Sequence, residues 1–202
     1  DSKGIAWRNV AGYSTETVAQ HTFAMLLFLL EKLRYYDDYV KEERYVNDVS
    51  FTHFAEHFTE IHGKTWGIIG LGAIGAMVAN AACGLGMEVY GYDPYLSIDA
   101  AWNLSRTIKH SKSLDEIYSQ CDYITIHVPL LDSTKKMINA DAFAKMKDGV
   151  IVLNFARDLL VDDDALEAAI AAGKVRKYIT DFPNAKTAQM NGVVAIPHLG
   201  AS

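Results

Sequence analysis

Residues 65–75 read TWGIIGLGAIG. A short apolar run, Thr65 to Ile69, meets the turn Gly70-Leu71-Gly72-Ala73-Ile74-Gly75, and a small-residue stretch with helical character follows over 73–84. Glycines at this spacing leave few folds open. The first permits a tight turn out of a strand, the second lets another molecule approach the backbone, and the third lets helix and strand pack closely. The first amides of such a helix have no partner within it and sit at the positive end of its dipole, which suits a phosphate.

The pattern G-x-G-x-x-G is common by itself, so its context carries the weight. A second apolar run, 87–92, ends in Asp93. A carboxylate there accepts hydrogen bonds from ribose hydroxyls and repels a 2′-phosphate, so the expected ligand is NAD rather than NADP. Gly70, Gly72, Ala73, Ile74, Gly75 and Asp93 are the first cofactor-binding candidates.

The rest of the chain repeats the alternation. Strands are expected over 123–128, 150–155, 175–181 and 193–196, and helices over 114–119, 140–146 and 162–172. The last helix has an aspartate at its start and Gly173 just past its end, the usual capping asymmetry. Strands alternating with helices predict an α/β fold, a Rossmann-type doubly wound parallel sheet with helices on both faces. The 202 residues have room for one sizeable core and are expected to form a single nucleotide-binding domain. Ahead of it, 14–34 reads as one long helix, and 35–62 as a charged and aromatic arm without a clean period.

Charge and composition narrow the partners. A net charge of −6 offers no electrostatic footprint for nucleic acid. The longest apolar run, Phe23 to Leu30, is too short to span a bilayer and lacks the flanks of a signal peptide. Cys83 and Cys121 make no disulfide framework and read as reduced thiols of a cytoplasmic protein. His53-Phe54-Ala55-Glu56-His57 fits the zinc-protease pattern H-x-x-E-H. No third ligand stands at a recognisable distance and the flanks are aromatic, so no metal is expected.

Three stretches each follow a strand: HVPL at 127–130, NFARD at 154–158 and IPHLGAS at 196–202. Ligands of doubly wound sheets bind beyond the carboxyl ends of the strands. Pro129, Arg157, Asp181 and His198 should therefore gather at the rim where the glycine turn lies, and Val128, Pro129, Phe155, Ala156, Asp181 and His198 are further cofactor-binding candidates. Arg157 there would grip a carboxylate through two hydrogen bonds, and His198 would move a proton. His127 reads as a structural residue.

GLGAIG, YDP, HVPL, NFAR and PHLGAS, in this order, resemble the D-isomer-specific 2-hydroxyacid dehydrogenases, and the likeness runs from about Asn9 to the end. NVAGYSTETVAQHT, YDPYLSIDAAWNLSR and YITDFPN are most similar to the branch acting on 3-phosphoglycerate in serine synthesis. The resemblance implies hydride transfer between NAD and C2 of a 2-hydroxy acid. Arg157 would hold the carboxylate and keto oxygen, His198 would exchange the hydroxyl proton, and Asp181 would lie near the nicotinamide carboxamide. It also implies that this chain is a cofactor domain inserted into a substrate domain built from sequence on either side. On its own it would bind NAD without turnover. The helix and arm of 14–62 would pair two cofactor domains into a homodimer. Another 2-hydroxy acid, such as lactate or a glyoxylate-type acid, and a non-enzymatic NAD-sensing module both stay open.

Two departures from the family pattern stand out. A glutamate that usually follows the aspartate and partners the histidine is absent from Asp181-Phe182-Pro183-Asn184-Ala185-Lys186, leaving the partner of His198 unidentified. Asp158 stands where glycine commonly follows the arginine, and is expected to compete with an anionic substrate or strain the turn.

Overall fold

Trp66 to Ile69 is buried along its whole length, as are Tyr123 to Ile126 and Val150 to Asn154. Runs covered on both faces belong inside a parallel sheet. In the computed structural model, which describes residues 12–55 and 58–201, these are β1 (Thr65–Ile69), β4 (Tyr123–Ile126) and β5 (Val150–Asn154). They join β2 (Glu88–Tyr92), β3 (Lys109–His110), β6 (Val175–Thr180) and β7 (Val193–Ala195) in one sheet of order β3-β2-β1-β4-β5-β6-β7. Every pairing is parallel. The chain winds outward from β1 to β3, crosses back to β4, and winds outward again. The crevice at that reversal is where doubly wound sheets bind ligands.

Helices cover both faces. α1 (Thr15–Leu30) and α3 (Ala73–Gly84) lie on one, packing Leu26, Leu30, Val78 and Ala82 against Trp66, Ile68 and Val89. On the other lie α5 (Leu114–Gln120), α6 (Ala140–Lys145) and α7 (Asp163–Ala171), with Ile117, Phe143 and Leu166 against Ile124, Ile126 and Val152. The doubly wound α/β expectation is met.

Differences concentrate at ends and at the arm. The expected helix over 14–34 breaks at Lys32, which takes a left-handed φ of 55°. A second helix, α2 (Leu33–Lys41), then runs into the stretch read as a connector. Arg34 with Asp38, and Lys41 with Asp37, form i,i+4 ion pairs along it, and Tyr35 stacks on Tyr39, so local pairs sustain a helix that buries little. A short helix, α4 (Ile98–Ala101), and the two-residue β3 were not expected. β4, β5 and β6 end one or two residues early. The residues just beyond them, His127 and Val128, Phe155, and Asp181, leave the ladder and stand at its carboxyl rim.

Candidate active site

The glycine turn is shaped by contacts within the chain at two of its three glycines. Gly70 has a φ of +92°, and a Cβ there would stand 2.9 Å from the backbone carbonyl of His127. A Cβ on Gly75 would stand 1.9 Å from the carbonyl oxygen of Gly70. Gly72 has an ordinary extended backbone, and a Cβ there would meet nothing within 4 Å. The chain itself does not require its small size; a molecule lying close against the backbone would. α4, α5, α6 and α7 each begin with a side-chain cap, from Ser97, Ser113, Asn139 and Asp162. α3, like α1 and α2, begins with none, and at the glycine turn this leaves its first amides for an anion. Asp93 lies beside them: its Oδ2 accepts from the Leu71 amide at 2.9 Å and its Oδ1 from the Tyr95 amide at 2.9 Å.

From this turn a cleft of about 800 Å³ opens along the rim. Ile74, Val128, Pro129, Phe155, Ala156, Arg157, Asp181 and His198 all line it, so the residues expected to gather at the rim do so. Gly72 and Ala73 line a neighbouring groove beside α3. Gly70, Gly75 and Asp93 form the turn without lining the cleft.

Asn154, fully buried at the end of β5, sets the arginine turn. Its side chain donates to the Arg157 carbonyl at 2.7 Å and to the Tyr178 hydroxyl at 3.0 Å, and accepts from the Ala156 amide at 3.1 Å. Arg157 itself is exposed. Its guanidinium donates to the Ala156 carbonyl at 2.6 Å and lies 5.1 Å from the centre of the Phe182 ring. The expected strain at Asp158 is absent. Asp158 opens a 3₁₀ turn, Asp158–Leu160, outside the left-handed region. Its Oδ1 accepts from the Leu159 amide at 2.8 Å, and among the described residues it forms no ion pair with Arg157.

His198 does sit in the left-handed region, at φ 49°. Its amide donates to the carbonyls of Asp181 at 2.9 Å and Ile196 at 3.0 Å, and its ring lies 4.1 Å from that of Phe182. The side chain is exposed to the cleft. Asp181 is buried, and its Oδ1 has no partner. Burial raises its carboxyl above the ordinary range, partly offset by the charge of His198 and by the amides of Asp181 and Gly200. An orphaned buried acceptor on a cleft wall calls for a donor. Together with the open Gly72 and the uncapped α3, it fits a dinucleotide ending in a carboxamide.

His127 is half-buried, with Nε2 3.1 Å from the Thr125 hydroxyl. Burial pushes its imidazole down to about 4, so it is neutral at physiological pH and holds its loop. Of the H-x-x-E-H pattern, His53 lies outside any helix, stacked 3.8 Å from Tyr39 with its Nε2 3.1 Å from the Tyr35 hydroxyl. Glu56 and His57 lie outside the described residues. Asn154 and Phe182 fall within stretches noted in the sequence but are not among the expected site residues. Asn154 reads there as one more residue of an apolar strand, and the Phe182 contacts join residues far apart in the chain.

The family model described as the NAD-binding domain of the D-isomer-specific 2-hydroxyacid dehydrogenases matches residues 23–200. D-3-phosphoglycerate dehydrogenase of Mycobacterium tuberculosis is 36% identical over 210 residues, covering 100% of this chain and 38% of the relative. Hydroxypyruvate reductase of Thermotoga maritima is 34% identical over 209 residues, covering 99% and 64%. The crystal structure of D-lactate dehydrogenase from Aquifex aeolicus, complexed with NAD and lactic acid, superposes with a TM-score of 0.79 at 32% identity, covering 98% of this chain and 64% of that one. The chain thus spans less than two thirds of each of these proteins.

Proposed function

Because this chain belongs to the D-isomer-specific 2-hydroxyacid dehydrogenase family, we propose that it is the cofactor domain of an enzyme oxidising 3-phosphoglycerate to 3-phosphohydroxypyruvate. The observation that carries the dehydrogenase reading is the buried Asp181 Oδ1, without a partner, on a cleft wall shared with Arg157 and His198. The substrate reading is supported by the stretches at 9–22, 92–106 and 178–184, and by the phosphoglycerate dehydrogenases among the relatives.

NAD, when bound, supplies the acceptor for the hydride that leaves C2. Gly72 and the uncapped start of α3 would hold the pyrophosphate, and Asp93 would accept from the adenosine ribose. Val128, Pro129, Phe155 and Ala156 give the cofactor an apolar wall. Asp181, whose Oδ1 is buried and unpartnered on the cleft wall, would accept the carboxamide N–H of the bound cofactor. Arg157 binds the substrate carboxylate and polarises the C2 oxygen. His198 takes the hydroxyl proton as the carbonyl forms and returns it in reduction.

The exposed apolar side chains of α1 and the arm, among them Phe28, Val40, Val49, Phe51 and Phe54, are assigned to pairing with a second copy. Cys83 and Cys121 are unpaired, which fits a reducing compartment such as the cytoplasm.

The test is turnover by the full-length protein with 3-phosphoglycerate, D-lactate and D-glycerate, with and without His198→Asn. Activity on 3-phosphoglycerate that collapses in the variant is expected. Preference for another acid overturns the substrate, and NAD binding with no turnover overturns the enzyme. This chain alone is expected to bind NAD without turnover.

A further inference from the structure

Phe182 touches both side chains assigned to the chemistry. Its ring centre is 4.1 Å from that of His198, with the planes tilted by 42°, and 5.1 Å from the guanidinium carbon of Arg157. Sixteen and twenty-five residues of sequence separate it from the two. Its backbone is fixed: the Phe182 amide donates to the Thr180 hydroxyl at 3.0 Å, and the residue follows the buried Asp181.

The polar residues after Phe182 are committed elsewhere. Asn184 donates to Asp163 at 2.7 Å and accepts from the amides of Lys186 and Thr187. Lys186 pairs with Asp164 and Glu167. This segment therefore turns toward α7, and no carboxylate lies between Phe182 and Met190. An aromatic face is negative, so it attracts a guanidinium, and its edge and face pack against an imidazole ring. It does so without placing an anion next to a bound carboxylate substrate.

We propose that Phe182 is a positioning residue whose ring sets the side chains of Arg157 and His198 relative to one another. This rests on the dehydrogenase reading of the site. Two long side chains on separate loops share one anchor, which reduces the freedom to be lost when substrate binds.

The test uses Phe182→Leu, which keeps an apolar side chain but no ring, and Phe182→Tyr, which keeps the ring. In the full-length protein, Phe182→Leu is expected to lower kcat roughly 10- to 100-fold while NAD affinity stays at the wild-type value; Phe182→Tyr stays near wild type in both. In this chain, proton NMR reads the contact directly. The imidazole C–H signals of His198, assigned by their loss in His198→Asn, and those of the Arg157 side chain carry a ring-current shift that Phe182→Leu removes and Phe182→Tyr retains. Unmoved signals in Phe182→Leu overturn the proposal, as does an equal loss of kcat in both variants. A wild-type protein that turns over no 2-hydroxy acid overturns the dehydrogenase reading instead, and the NMR comparison still decides whether the ring holds the two side chains.

Discussion

A Cβ on Gly75 would stand 1.9 Å from the carbonyl oxygen of Gly70. That carbonyl belongs to the backbone of the turn leading out of β1, and a Cβ is fixed by the backbone it grows from, so neither can swing aside. The third glycine of the turn therefore serves packing between helix and strand, whereas Gly72 faces open space.

Gly75→Ala is accordingly expected to destabilise the chain by about 3 kcal/mol, because backbone overlap must be relieved by moving α3 off β1. For a domain of this size that lowers the melting temperature by about 10 °C. Gly72→Ala should move it little, since its backbone suits any residue, yet weaken NAD binding about tenfold or more. Thermal melts with and without NAD separate the two. A Gly72→Ala protein that melts early, or binds NAD as before, removes the case for close cofactor approach at that position.

Asp93 supports the turn as well as the proposed ribose. With both oxygens accepting amides of the Leu71 and Tyr95 backbone, Asp93→Ala frees two donors and loses the hydroxyl contacts. Hydrogen bonds to a charged group contribute about 1.5–3 kcal/mol, so NAD affinity should drop by at least about tenfold. NADP, no longer repelled, should lose less or gain. Calorimetric titration with both cofactors checks this; equal losses for the two would place the ribose elsewhere.

Much of this site is legible in the sequence because strand ends are. Apolar runs and capped helices mark the alternation, and a parallel alternation forces the residues after each strand onto one rim. That is how Arg157 and His198, distant in sequence, were expected together. What escapes is contact that no local pattern encodes. Lys32 takes the left-handed turn that glycine would have announced, so one expected helix is two. β3 is two residues long, too short for any period. The expected effect of Asp158 came from a family pattern, and a 3₁₀ turn accommodates its Cβ without strain. Asn154 and Phe182 act through side chains whose partners only the folded sheet brings near.

His127 makes stability depend on pH. Its folded pKa is about 4, against about 6.5 for a free imidazole. Between those values the unfolded chain binds a proton that the folded chain refuses, so stability falls as pH drops from about 6.5 to about 4. The full effect is about 3 kcal/mol. Urea unfolding at pH 7, 5.5 and 4.5 should show a steeper loss for wild type than for His127→Gln, which cannot titrate. Parallel losses would mean that burial of the imidazole costs nothing.

Asp181 sets stability against binding. Burial raises its carboxyl, so the ionised form is disfavoured in the fold and stability falls as pH rises through the folded pKa. Asp181→Asn removes that charge and is expected to make the chain without cofactor more stable at pH 7, with the difference vanishing as pH falls below the ordinary carboxylate range. Binding should move the other way. The aspartate presents two acceptors, one toward the Gly200 amide and Oδ1 toward the cleft; asparagine has one, so an NH₂ must face a donor on one side or the other. An unmet pairing of this kind costs about 1–3 kcal/mol, or roughly 10- to 100-fold in NAD affinity. Melting curves across pH together with NADH fluorescence titration measure both halves. A variant that is less stable, or that binds NADH as tightly as wild type, shows that the orphaned oxygen is not waiting for a carboxamide.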